Sequence, residues 1–222
     1  VDVHDLFRII RDRIAVRVLE LVENEMAEEG LGRPPVDYVW AGLGSEGRDE
    51  QTLVTDQDNM LIYEEQDDSL ASDELRKLRS GKEHRSSPGT LVDAYFEMFA
   101  RKASERLNEV GFDKCKGGVM PVNERWRGSK TGWRTRIEDR FMRGTGLLEP
   151  LDIIILTDAR AVKGNRKLLD DFMGHFFPML TNNKNLMKEF VQSAVLMPSA
   201  LTFFGGFKVE KDGENKDKFN IK

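Results

Sequence analysis

The sequence predicts an α+β fold: a short mixed sheet flanked by helices, with a helix at the N-terminal end and a helical segment toward the C-terminal end. Three observations predict it. Apolar residues recur about every four positions from Leu6 to Met26, the spacing that lines one face of a helix. Two short apolar runs, Tyr38–Leu43 and Asn59–Tyr63, bracket a glycine-rich loop, and runs of strand length bounded by turn residues form buried strands. Helix-length segments return after residue 90, so strands and helices are mixed along one chain.

Composition bounds the rest. With 222 residues and 39% hydrophobic content, the chain can bury one large domain, or one domain and part of a second. We divide it into an N-terminal helix (1–30), a core (31–165) and the start of a C-terminal helical, substrate-binding region (166–222) that stops short. The mean hydropathy is −0.50, and no apolar stretch approaches the ~18 residues of a membrane span. No membrane partner is expected. A net charge of −5 and a pI near 5.4 argue against general nucleic-acid binding, whose footprint is basic. Cys115 has no second cysteine to pair with, which fits a reducing compartment, the cytoplasm. Val1–Asp5 carry no signal-peptide pattern and no initiator Met, so the sequence reads as a piece of a longer chain.

The elements come in order along the chain. Leu6, Ile10, Ile14, Val18, Val22 and Met26 make the first helix amphipathic, and the Gly30–Pro35 stretch ends it, because glycine accepts a helix cap and proline cannot continue one. The strands Tyr38–Leu43 and Asn59–Tyr63 come next. Residues 66–89 are polar and read as a surface excursion, with a short helix over Ser72–Leu78. A helix spans Leu91–Val110 and is closed by Gly111; Cys115–Trp126 is irregular; a polar helix covers Gly132–Met142. Leu151–Asp158 contains Ile153-Ile154-Ile155-Leu156, a continuous β-branched run that predicts a central strand. Leu168–Leu180 and Leu186–Leu196 are expected helices, Thr202–Glu210 a strand or turn, and 211–222 a charged tail without a core.

The loop "GLGSEG", Gly42–Gly47, has the spacing of a dinucleotide-binding fingerprint. That fingerprint must open a long helix and find an acidic residue about 20 positions on. Here only eight residues, Arg48–Thr55, separate Gly47 from Asp56-Gln57-Asp58, and they include Asp49-Glu50-Gln51 where an apolar helix face belongs. A different chemistry fits better. In an extended strand Asp56 and Asp58 project to one side and Gln57 to the other. Two close carboxylates repel unless a cation neutralises them, and oxygen ligands of this kind suit Mg²⁺ with substrate phosphates completing its shell. Gly44 permits close backbone approach, its amides and the Ser45 hydroxyl can hold phosphate oxygens, and Arg48 can add a charge-assisted contact.

Gly44-Ser45, a ten-residue interval and Asp56-x-Asp58 resemble the signature of the DNA polymerase β-like nucleotidyltransferase superfamily. The string Gly44–Asn59 is similar to one branch of it, the nucleotidyltransferases of the DUF294 type, which are related to the N-terminal region of PII-protein uridylyltransferase and to glutamine synthetase adenylyltransferase. Gly111–Met120, followed by Asn123 and Trp126, resembles the central motif of that branch, and Thr157–Gly164 its Asp-x-Arg strand end, so the likeness extends over nearly the whole chain. The resemblance implies a nucleotidyltransferase-type fold and two Mg²⁺ ions, or Mn²⁺, at Asp56 and Asp58. It also implies a third ligand, Asp158, which helps to position or deprotonate an acceptor hydroxyl.

Gly44, Ser45, Arg48, Arg160 and Lys116 are then expected around the nucleotide. From the residues alone Asp152 rivals Asp158, on the same strand face but six residues away, roughly 20 Å at strand rise; Asp158 is preferred because it ends the apolar run, where ligand crevices of open sheets lie. The chain departs from the broad superfamily in its polar Gln57 and Asn59, from the branch in its long 66–89 excursion, and at its end, where Phe219-Asn-Ile-Lys222 replaces the usual acidic-Leu-Lys string.

Other chemistries fit less well. Asp56–Leu61 lacks the glycine and the distal Glu of an EF-hand. His4, His84 and His175 are scattered, without zinc-ligand spacing. Cys115 lies between Lys114 and Lys116 but has no His partner in the pattern of a nucleophile. The expected function is transfer of a nucleoside monophosphate from an NTP to an acceptor hydroxyl, on a protein in the manner of uridylyl- or adenylyltransferases, within a signalling protein. The alternative is a catalytically silent nucleotide-binding domain of a larger protein that carries CBS pairs or a cyclic-nucleotide-binding module.

Overall fold

The computed structural model describes residues 3–50, 55–65 and 90–184, with 187, 188 and 191. The readings over 66–89, Thr202–Glu210 and 211–222 lie outside the described residues, as does most of Leu186–Leu196. The chain divides into two units, Val1–Asn183 and Lys184–Lys222, and the sheet with its flanking helices belongs to the first.

Helix α1 spans Val3–Glu28, β1 Tyr38–Gly42, the single turn α2 Gly44–Gly47, β2 Thr55–Gln57, β3 Asn59–Tyr63, α3 Leu91–Glu109 and β4 Phe112–Lys114. A 3-10 turn, Glu124–Trp126, leads into β5 Arg127–Ser129 and then α4 Lys130–Glu138, which relaxes into a π turn over Asp139–Arg143. Helix α5 spans Pro150–Leu156, β6 Arg160–Gly164 and α6 Arg166–Asn182. The main sheet has four strands in the order β5-β3-β1-β6, and β2 pairs separately with β4. β1 runs antiparallel to both β3 and β6, while β3 and β5 are parallel. This is the mixed α+β architecture expected from the sequence.

Both faces of the sheet are covered, which is why β1 and β3 are apolar at nearly every position rather than alternating. Tyr38 and Trp40 of β1 and Leu61 and Tyr63 of β3 face a core made with Leu19, Val22 and Met26 of α1 and Tyr95, Phe96 and Phe99 of α3. Tyr63 stacks on Phe96 at 4.4 Å between ring centres. On the other face Val39, Ala41, Met60 and Ile62 are also buried, and Trp133 of α4 donates its indole N–H to the Leu61 carbonyl (3.0 Å). Thr90 accepts from the Asp93 amide and Asp93 accepts from the Thr90 amide, a reciprocal cap that starts α3.

One element differs from the sequence reading. Leu151–Asp158 is not a central strand: Pro150–Leu156 is helix α5. Pro150 takes the first helical position, where its missing N–H costs nothing, and the Glu149 amide donates to Asp152 (2.8 Å) to cap the turn. Within the apolar run only Ile153 and Leu156 are buried, three residues apart as on a helix face. The strand in this part of the chain is β6, which starts at Arg160. Asp152 therefore shares no strand face with Asp158; it is buried in α5 and pairs with Arg125 (3.1 Å).

Candidate functional site

The register of the sheet brings the predicted residues to one end. Gly42, the last residue of β1, pairs with Asn59 at the start of β3 and with Arg160 at the start of β6. Asp58 and Asp158 precede those two strands and so flank the exit of β1. The turn α2 fills the interval. The Leu43 amide donates to the Asp58 carbonyl (2.8 Å), which fixes the entry to the turn against the acidic segment.

The glycines of the loop answer to their neighbours. Gly44 has φ +51°, and a side chain there would meet Asp58 Oδ2 at 3.5 Å. A Cβ on Gly47 would lie 1.8 Å from the Asp158 carbonyl oxygen, and one on Gly42 would lie 2.5 Å from Glu46 Cγ. The G-x-G-x-x-G spacing is thus a record of close packing around α2, with Asp58 at one end of the turn and Asp158 at the other.

Asp56 and Asp58 converge. One carboxylate oxygen of each and Cys115 Sγ lie within 4.8 Å of one another. Gln57, between the two acids, turns inward: its amide donates to the carbonyls of Ser104 (3.0 Å) and Phe112 (2.8 Å), and its oxygen accepts from the Ser104 hydroxyl (2.9 Å). Asn59 is likewise buried and donates to Glu46 (3.0 Å). The two polar residues flanking the acids therefore satisfy buried partners. The donor set fits a divalent cation, since two carboxylates share one site and a thiol adjoins them.

Asp158 is not among the three residues whose ligand atoms lie within 4.8 Å of one another. Its carboxylate accepts from Arg48, while Arg48 also pairs with Glu50 (2.9 Å). Arg160 grips Asp12 of α1 through both terminal nitrogens (2.8 and 3.0 Å) and donates to the Glu46 carbonyl (3.3 Å). Ser45 is half-buried on α2, and Lys116 is exposed in the turn after β4. Gly44, Ser45, Asp56 and Asp58 thus gather at one end of the sheet with Arg48 and Asp158 beside them, whereas Arg160 is committed to α1.

Sequence reasoning missed Glu46. It is 6% exposed and sits under α2 among Arg8, Arg11, Asp12, Asp49 and Arg160. Burial pushes its carboxyl up to about 7, against the pull of Arg11 and Arg160. It also missed the approach of Cys115 to the acidic pair. The parallel pairing of β2 with β4 sets Asp56 opposite Asp113 and Gln57 opposite Lys114, so Asp58 and Cys115 leave the ladder side by side.

The family model described as putative nucleotidyltransferase DUF294 matches residues 1–146. This range contains Gly44, Ser45, Asp56, Asp58 and Cys115 and ends before Asp158 and Arg160, so it is narrower than the likeness read from the motifs. No curated protein matches the chain. Among the described residues no helix is long and apolar enough to cross a membrane.

Proposed function

Because the chain belongs to the DUF294 nucleotidyltransferase family, we propose that it transfers a nucleoside monophosphate from an NTP to an acceptor hydroxyl, with Mg²⁺ held at Asp56 and Asp58. The convergence of these two carboxylates beside the Gly44–Ser45 turn is the observation that carries the reading. Two divalent cations in such a site stabilise the attacking and leaving oxygens of an in-line displacement, and Mn²⁺ can replace Mg²⁺.

The chain's own residues bind and orient. Asp56 and Asp58 supply the anionic oxygens. Gly44, in its left-handed conformation, turns the backbone so that its amide and the Ser45 hydroxyl face the β- and γ-phosphates. Lys116, one residue beyond Cys115, adds positive charge toward the triphosphate. Asp158, held by Arg48 across α2, is placed to receive the proton of the acceptor hydroxyl once phosphate draws Arg48 away. Arg160 acts indirectly, by tying α1 to the Glu46 carbonyl and so fixing the turn. The acceptor is a protein side chain, as in uridylyl- and adenylyltransferases, and the setting is a cytoplasmic signalling protein with CBS or cyclic-nucleotide-binding modules elsewhere in a longer chain.

A second reading is favoured by one contact. The Arg48–Asp158 pair engages the third acid with a cation of the protein's own, as suits a domain that binds nucleotide without transfer. Incubation with α-phosphate-labelled NTPs and Mg²⁺, with pyrophosphate and protein-bound label as readouts, separates the two. Transfer that is lost in Asp56→Asn supports the enzyme; equal turnover in that variant contradicts it. Nucleotide binding without pyrophosphate release supports the regulatory domain.

A further inference from the structure

Cys115 is drawn into the acidic pair by features that a hard cation does not use. Its Sγ lies within 4.8 Å of the ligand oxygens of Asp56 and Asp58, and the thiol hydrogen-bonds to the Asp58 carboxylate. The chain then doubles back through Gly117-Gly118, where the Gly118 amide donates to the Cys115 carbonyl (3.0 Å). A Cβ on Gly117 would stand 3.6 Å from Sγ.

Mg²⁺ takes oxygen ligands, retains several of its waters and leaves a thiol alone, whereas Zn²⁺ and Cd²⁺ bind sulfur strongly and accept carboxylate alongside it.

We infer that Cys115 is a third ligand which makes the Asp56/Asp58 site a selective trap for thiophilic divalent cations of the Zn²⁺ and Cd²⁺ kind, competing with Mg²⁺. The inference rests on the reading of Asp56 and Asp58 as the metal pair. Binding is an exchange of a proton for the ion: the S–H bond breaks, a sulfur–metal bond forms, and the proton passes to solvent. No change of oxidation state is involved.

Cd²⁺ titration of the full chain tests it, with ultraviolet absorption and calorimetry as readouts. Cys115 is the sole cysteine of the chain, so a sulfur-to-cadmium charge-transfer band in the wild type can come from no other residue. The expected result is that band, one proton released per ion, and a Cd²⁺ affinity that falls at least about tenfold in Cys115→Ser. Proton release in several buffers of different ionisation enthalpy, measured on the wild type alone, stands even if the variant folds poorly. Cd²⁺ that binds wild type and Cys115→Ser equally, with no band, but not Asp56→Asn/Asp58→Asn, overturns the role of Cys115 and leaves the metal pair intact. No binding of Cd²⁺ overturns the inference, and if Mg²⁺ with nucleotide also fails to protect the wild type, the reading of the pair falls with it.

Discussion

The carbonyl oxygen of Asp158 occupies the space where Gly47 would carry a side chain, 1.8 Å from the position of a Cβ. This contact locks the far end of α2 to the segment before β6, just as the Leu43–Asp58 hydrogen bond locks the near end to the segment before β3. Gly47→Ala must push two backbones apart. We expect a loss of about 2–3 kcal/mol of stability, the upper part of the range for overpacking, together with weaker Mg²⁺–nucleotide binding. Chemical denaturation and a nucleotide titration of the variant check both; a variant as stable as wild type would mean that this packing is relieved cheaply.

Glu46 makes stability depend on pH in a stated direction. Its carboxyl is raised to about 7 in the fold against about 4.3 in an unfolded chain, so between these values the folded state binds the extra proton. This contribution is fully present below about pH 4 and is lost as pH rises through 7, a change on the order of 4 kcal/mol. Glu46→Gln keeps the Asn59 contact and carries no ionisable proton. Between pH 5 and pH 8 the unfolding free energy is expected to fall more steeply in wild type than in Glu46→Gln; parallel slopes would remove Glu46 as the source.

Gln57 has a structural duty that its position between two acids conceals. Gln57→Leu deletes three hydrogen bonds and leaves the Ser104 and Phe112 carbonyls without it as a donor. The expected cost is about 2–4 kcal/mol, since each stranded buried group costs about 1–3 kcal/mol. Urea denaturation measures it, and a cost under about 0.5 kcal/mol, the level of ordinary surface substitutions, would contradict this role.

Arg160 and Asp12 join the first helix to the loop. Asp12→Ala leaves a half-buried guanidinium with its main carboxylate partner removed, and we expect about 1–3 kcal/mol of destabilisation, below the range for a fully buried pair because both groups retain some solvent. If Arg160 acts only by positioning, Arg160→Gln and Asp12→Ala will weaken nucleotide binding to similar extents. A far larger effect of Arg160→Gln would instead indicate direct phosphate contact.

The parts of this molecule that local pattern specifies were legible in its sequence. The apolar runs of β1 and β3 and the helix at Leu91 coincide with the elements found, because each buries a continuous face; the four-residue rhythm of Leu6–Met26 falls within α1, but only Val18, Val22 and Met26 of it are buried, while Leu6, Ile10 and Ile14 are exposed. Asp56 and Asp58 were legible as a pair through strand alternation alone. The Ile153–Leu156 run was not, since four apolar residues fit a buried strand and a buried helix turn alike, and Pro150 with the Asp152 cap decided for the helix. Strands β2, β4 and β5, of three residues each, are too short to leave a period. Cys115 joins the acids only through the β2–β4 pairing, and Glu46 is buried only because Gly42 leaves it room; neither relation is local in sequence.

The central claim is that Asp56 and Asp58 form a metal-dependent nucleotide site. Its most direct test is a thermal-shift titration with ATP, UTP, GTP and CTP, each with and without Mg²⁺, on wild type and Asp56→Asn/Asp58→Asn. Ligand at about 100 times its Kd stabilises the native state by about 2.7 kcal/mol, a readily measured rise in Tm. Such a rise is predicted for at least one nucleotide, dependent on Mg²⁺ and absent from the double variant. A rise that persists in the double variant, or that ignores Mg²⁺, would contradict the claim.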